Sequence, residues 1–282
     1  NTTASNNTAV GYQSLYNTTG TGNTGLGYQG GVSITSGTYN TAIGYASLSS
    51  GAGVTGSYNT AIGTSALASN TTASQNTAVG YQSAYSNTTG TANTAAGYQS
   101  LYTNSTGNNN AAFGQHALRF NTVGNNNTAL GLQALYSNTT GSYNTGVGLS
   151  PLVANTTGSY NTAIGQDALG SNTTASDNTA IGYQAAYSNT TGTRLTALGH
   201  RALYTNTTGS DNTAIGQAAL GGNTTGFYNV AVGGYGGATQ TLASNTTGAY
   251  NTAVGMSALG SNTTASNNTC LLYTSDAADD TP

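Results

Sequence analysis

Few side chains in this 282-residue sequence can do chemistry, and they are far apart. His116 and His200 are the only histidines, candidates for metal ligation or proton transfer. The repeat described below puts them about five coils apart, roughly 24 Å at the spacing of neighbouring strands. They share neither a metal nor a proton, and each reads as a solvent-facing side chain. An active site needs an acid, a base or a nucleophile brought together, so no catalytic, metal or cofactor residue is assigned and the chain reads as a non-enzyme. Calcium-binding β-rolls of the G-G-x-G-x-D type need an Asp in each turn, and Asp is nearly absent. The G-x-G patterns lie outside any strand–helix unit that would cradle a phosphate. The N-T-T and N-N-T triplets match the glycosylation sequon, but their recurrence reads first as structural asparagine ladders.

The element that must position any side chain here is a repeat. Charged residues are 3% of the chain, Trp is absent, Phe is 3 and Gly is 41. Too few large apolar groups exist to offset ordering entropy in a conventional core, so order requires small side chains stacked in register. The motif N-T-A-[IV]-G places its glycine at Gly11, Gly27, Gly44, Gly63, Gly80 and onward to Gly233 and Gly255. From Gly63 to Gly233 the step is 17 residues, which predicts an all-β parallel β-solenoid over residues 1–269 with one coil per repeat. About fifteen coils at strand spacing make a rod on the order of 70 Å long.

Numbered from the first Asn, the fourth position is apolar in every copy, as at Ile43, Ile62, Val79, Leu130, Ile164, Ile181 and Ile215. It is expected to form a buried ladder. The ninth position, usually Leu, is expected to form a second. The third is only Ala or Gly in these repeats, so something approaches closely there. The constant fifth-position Gly predicts a positive φ or close backbone approach. The N-T-T-G stretch is expected to turn, with Asn and Gly in left-handed backbone.

The formal net charge of -3 comes from Asp276, Asp279 and Asp280. Without them the chain is neutral, with no basic stripe for nucleic acid or anionic lipid. No apolar run is long enough to span a bilayer. Residues 270–282 break the pattern: Cys270-Leu271-Leu272-Tyr273-Thr274-Ser275-Asp276 resembles a translated transposase-end sequencing adapter. This segment is expected to be an artefact with no place on the rod, its lone Cys carrying no chemistry, and both ends of the chain look cut.

Tyrosine, at 20 residues, recurs at the sixth, tenth and seventeenth positions. Tyr12, Tyr81, Tyr98, Tyr183 and Tyr235 are candidate surface contacts, able to stack on sugar rings or a partner, on one another, or against sister chains. Asp177, Arg194 and Asp211 share the seventeenth position in successive coils and are expected to form a charge ladder. Departures from the repeat, Gly234 to Ala238 and Gly51 to Val54, are candidate binding loops.

N-T-A-I-G followed by x-x-A-L resembles the head repeats of trimeric autotransporter adhesins, the YadA-like heads, and similar phage tail-fibre repeats. The resemblance implies a left-handed β-roll, a homotrimer, and adhesion to a host-cell glycan or protein outside a bacterial cell or virion. Two other readings stand beside it: an ice-binding solenoid, and a passive spacer of a tail fibre.

Overall fold

The computed structural model describes residues 4–234 and 240–272. It is all-β, a parallel β-solenoid with one three-residue strand per repeat. The chain divides into two compact units. The first carries β1 (Thr8–Val10), β2 (Thr24–Leu26), β3 (Thr41–Ile43), β4 (Thr60–Ile62), β5 (Thr77–Val79), β6 (Thr94–Ala96), β7 (Ala111–Phe113), β8 (Thr128–Leu130) and β9 (Thr145–Val147). The second carries β10 (Thr162–Ile164), β11 (Thr179–Ile181), β12 (Thr196–Leu198), β13 (Thr213–Ile215), β14 (Val230–Val232), β15 (Thr252–Val254) and β16 (Thr269–Leu271). Within each unit successive strands pair in parallel, position against position, as in Ile62↔Val79 and Ala180↔Ala197.

Side chains alternate across a strand, and here the alternation runs opposite to the expected one. Ala129 and Ala163, at the third position, are 0% exposed, whereas their fourth-position neighbours Leu130 and Ile164 are 49% and 38% exposed. The predicted buried ladder of Ile43, Ile62, Val79, Leu130, Ile164, Ile181 and Ile215 therefore faces outward, each residue half-buried or exposed. The inside has room only for Ala at the strand because the opposite wall supplies Leu. That ninth-position row is buried as expected, fully so at Leu67, Leu101, Leu118, Leu169 and Leu203, with Leu259 in the last coils half-buried.

Two asparagine rows complete the interior. Nδ2 of Asn93, at the first position, donates to the Gly107 carbonyl of its own coil at 2.8 Å, and its Oδ1 accepts the backbone N–H of Asn110 in the next coil at 2.9 Å. Asn104, at the twelfth position, donates from Nδ2 to the same Gly107 carbonyl at 3.0 Å and to Oδ1 of Asn87 at 2.6 Å. In the inner coils both rows run along the axis buried, with Leu195 replacing one first-position Asn and Oδ1 of Asn70 left without a partner, and the bonds the other amides make are what makes their burial tolerable. The sequon asparagines of the inner coils, such as Asn104, Asn138, Asn189 and Asn206, are these buried rungs. In the second and third coils buried Ile34 and Val54, joined by a parallel bridge, interrupt the twelfth-position row. The insertion there is therefore partly core.

The backbone carries the remaining specificity. Gly97 has φ +139°, and a Cβ on it would lie 2.5 Å from the Gly114 carbonyl oxygen of the next coil, so both anticipated reasons for the fifth-position glycine hold. The N-T-T-G turn differs from expectation, since neither Asn104 nor Gly107 has a positive φ. Left-handed residues stand instead at the seventh, ninth and seventeenth positions, as at His116 (φ 61°), Leu118 (φ 50°) and Asn126 (φ 56°). Each lets its N–H bond an adjacent coil, as Leu118 does to Ala134 O at 3.0 Å.

The adapter-like segment does have a place at its start. Cys270 and Leu271 pair with Ala253 and Val254 in β15, and the Leu272 N–H bonds Val254 O at 2.8 Å. Strand pairing is made by backbone, and Cys is small enough for the third position. The rest of the segment, from Tyr273, lies outside the described residues.

Candidate functional site

The aromatic rows are the most regular surface feature. Tyr12, Tyr28 and Tyr45 stack with ring centroids 5.2 Å apart, and Tyr81 stacks on Tyr98 at 5.3 Å. Tyr39–Tyr58 and Tyr228–Tyr250 do the same at the seventeenth position, and Tyr85–Tyr102 and Tyr187–Tyr204 at the tenth. The in-register coils dictate this, because identical residues one coil apart sit one strand spacing apart. Of the predicted contacts, Tyr12, Tyr81, Tyr98 and Tyr183 are exposed and each is stacked on a ring in a neighbouring coil. Tyr235 lies outside the described residues, as does the insertion from Tyr235 to Ala238.

Where the rows change residue type, planar cations and imidazoles take the place of phenols. Arg119 sits in the tenth-position row, its guanidinium 5.9 Å from the Tyr102 and Tyr136 ring centroids and 5.1 Å from that of Phe120, with Nη1 donating to the Tyr136 hydroxyl at 3.1 Å. His116 packs edge-on against Tyr98 and Tyr136. Burial, and then the positive charge of Arg119, lower the His116 pKa below its usual value. His116 is therefore a half-buried ring held between two phenols, not the freely solvent-facing side chain expected.

A second cluster lies in the other unit. His200 stacks on Tyr183 at 5.2 Å, and the Arg201 guanidinium lies 5.0 Å from the Tyr204 ring and 5.8 Å from the Tyr183 ring. Nε of Arg201 donates to Oε1 of Gln184 at 3.0 Å. Beside it is an open depression of about 180 Å³ lined by Arg201, Tyr204, Ala218, Gly221, Gly222, Gln240 and Ala243. Sequence reasoning missed both arginine clusters. The available signal was a cation at a position that other repeats give to Tyr or Gln.

The anticipated charge ladder forms as a bidentate pair: Arg194 Nε and Nη2 donate to Asp211 Oδ1 and Oδ2 at 2.6 and 2.7 Å. The hydrogen bonds from Arg194 hold the Asp211 carboxyl below the usual range, and Asp211 and Asp177 both raise the Arg194 pKa. Of the expected trio, Arg194 and Asp211 are the bonded pair, on an exposed face where such pairs contribute modestly, and Asp177 acts on Arg194 through its charge. Among the described residues, no three His, Cys, Asp or Glu gather as metal ligands do, and no helix is long and apolar enough to cross a membrane. No protein-family model matches the chain, and no curated protein is similar to it.

Proposed function

We propose that the chain is a stretch of a non-catalytic, extracellular adhesive or receptor-binding fibre that works as a homotrimer, its subunits meeting through the outward face of the strands. The observation that carries this is the fourth-position row. The row faces outward in both units, with Val10, Leu26, Val79, Phe113, Leu130, Ile164, Leu198 and Ile215 exposed and others between them, such as Ile43, Ile62 and Ile181, half-buried, and it is flanked by second-position residues without charge. A regular apolar stripe of this kind marks an interaction surface. Closed rotational symmetry covers such a stripe without open-ended growth, and the resemblance to adhesin heads favours three copies. The Tyr rows lie on other positions of the coil and remain available for ligands on a cell surface or virion.

A second reading draws on the same face. Thr stands at the second position in every strand except β7 and β14, so rows of stiff Thr hydroxyls alternate with apolar groups, as an ice-binding surface would need. Light scattering decides between them. Three chain masses, reduced to one by Ile164→Asp, Ile181→Asp and Ile215→Asp together, are expected of the fibre. One chain mass together with thermal hysteresis would replace it with ice binding, and one mass without hysteresis would leave a passive spacer.

A further inference from the structure

The depression beside Arg201 has a local cause in the repeat. Coil 12 (residues 195–211) presents Tyr204 and Thr205 at the tenth and eleventh positions, and coil 13 (residues 212–228) presents Gly221 and Gly222. The next coil presents Ala243. After Tyr204 the tenth-position row carries nothing larger than the Ala243 methyl, with Gly221 before it and Gly260 after it, and a gap opens against the Tyr204 ring. Its backbone is already satisfied: the Gly222 N–H bonds Ala243 O at 2.9 Å, and Gly221 O accepts from Thr205 Oγ1 at 2.8 Å. The gap is a formed surface and not a collapsed one.

Its chemistry is selective. Arg201 is exposed, and its described polar partner is a neutral amide, Gln184. Among the described residues the ion pair belongs to Arg194 and Asp211, and no carboxylate lines the gap. Stacking against Tyr204 orients the guanidinium plane, which lowers the cost of offering its N–H fork to an anion. On the other side stands the Gln240 amide, a donor and an acceptor. The volume is smaller than a drug-sized pocket and suits one small ring.

We infer that this gap binds a carboxylate-bearing sugar ring, a uronic acid unit of a surface polysaccharide. The carboxylate takes the Arg201 fork, the apolar C–H face of the ring lies against Tyr204, and a ring hydroxyl bonds Gln240. A bidentate guanidinium–carboxylate pair is among the stronger hydrogen-bonded contacts, so the charge discriminates this ligand from a neutral sugar. The inference deepens the adhesive reading by naming a ligand class. It stands on a different part of the coil from the face proposed to join subunits.

The test is calorimetric titration of the full chain with glucuronic acid, glucose and acetate, repeated for Arg201→Gln and Gly221→Tyr. Glucuronic acid is expected to bind saturably and at least about tenfold more tightly than either comparison ligand, the factor a charge-assisted pair supplies. Arg201→Gln should weaken it by a similar factor. Gly221→Tyr extends the aromatic row of Tyr187 and Tyr204 by one coil and should abolish binding by filling the gap, with the circular dichroism spectrum unchanged in both variants. Glucose binding equally well, acetate competing equally well, or unaltered affinity in the two variants would each overturn the inference. Subunit number is read separately by light scattering, so a single-chain mass with intact glucuronate binding removes the trimer and keeps this site, and the converse result removes only the site.

Discussion

The third and fourth positions of each strand are adjacent in sequence and opposite in fate. Ala112, Ala129, Ala163 and Ala197 are sealed inside, while Phe113, Leu130, Ile164 and Leu198 are exposed. In an ordinary globular domain the larger apolar residue takes the interior, because burial gains scale with apolar area. Here the interior is one coil wide and already filled by Leu and by two rows of asparagine amides, so steric room outranks hydrophobicity. The larger residues gain contact by stacking on their counterparts one coil away, and stay available to a partner.

Three substitutions measure that contrast, each by chemical unfolding of the chain. Leu135→Ala, on the inner wall, should cost the most, about 2–5 kcal/mol for a buried Leu truncation. The value should fall toward the lower end, because Ala84 and Ala186 occupy this position in other coils. Ala129→Val adds only two methyl groups but adds them inside, and overpacking should cost about 1–3 kcal/mol. A neutral or stabilising Ala129→Val would mean that the interior has spare volume and that room does not sort these rows. Leu130→Thr, one residue further on, removes more apolar surface than Ala129→Val adds, yet should shift the isolated chain by only about 0.5 kcal/mol. A loss comparable to that of Leu135→Ala would show that the outward row is core after all.

Much of the fold was legible because repetition multiplies weak signals. The 17-residue spacing, the fifth-position glycine and the ninth-position leucine recur often enough that one coil per repeat, a close backbone approach and an inner Leu wall follow directly. The stacked Tyr rows and the pairing of Arg194 with Asp211 follow from the same register. What failed was the side of the strand on which Ile and Ala lie. Hydropathy ranks Ile above Ala, and only the width of the coil, a property of the closed backbone, reverses that ranking. The left-handed residues were assigned to Asn and Gly on propensity, whereas the coil closure imposes that conformation on Gln, Leu and Tyr. The gap beside Arg201 was not readable from one repeat at all, because it depends on Gly221 in one coil standing next to Tyr204 in another.

Among the described residues forty-three other than glycine have left-handed backbone, and none of them is Val, Ile or Thr, although Thr is abundant in the chain. Branching at Cβ makes that conformation a severe outlier. The ninth position therefore distinguishes Leu from Ile, isomers that partition almost identically between water and oil. For a gene that grows by copying its own repeats, this sets a direction on drift. Single-base changes that turn Leu into Ile or Val, ordinarily among the most neutral in a protein interior, are costly at the ninth position of a coil. The copies remain free to diverge at the sixth and tenth positions, where the surface residues that distinguish one coil from another are found.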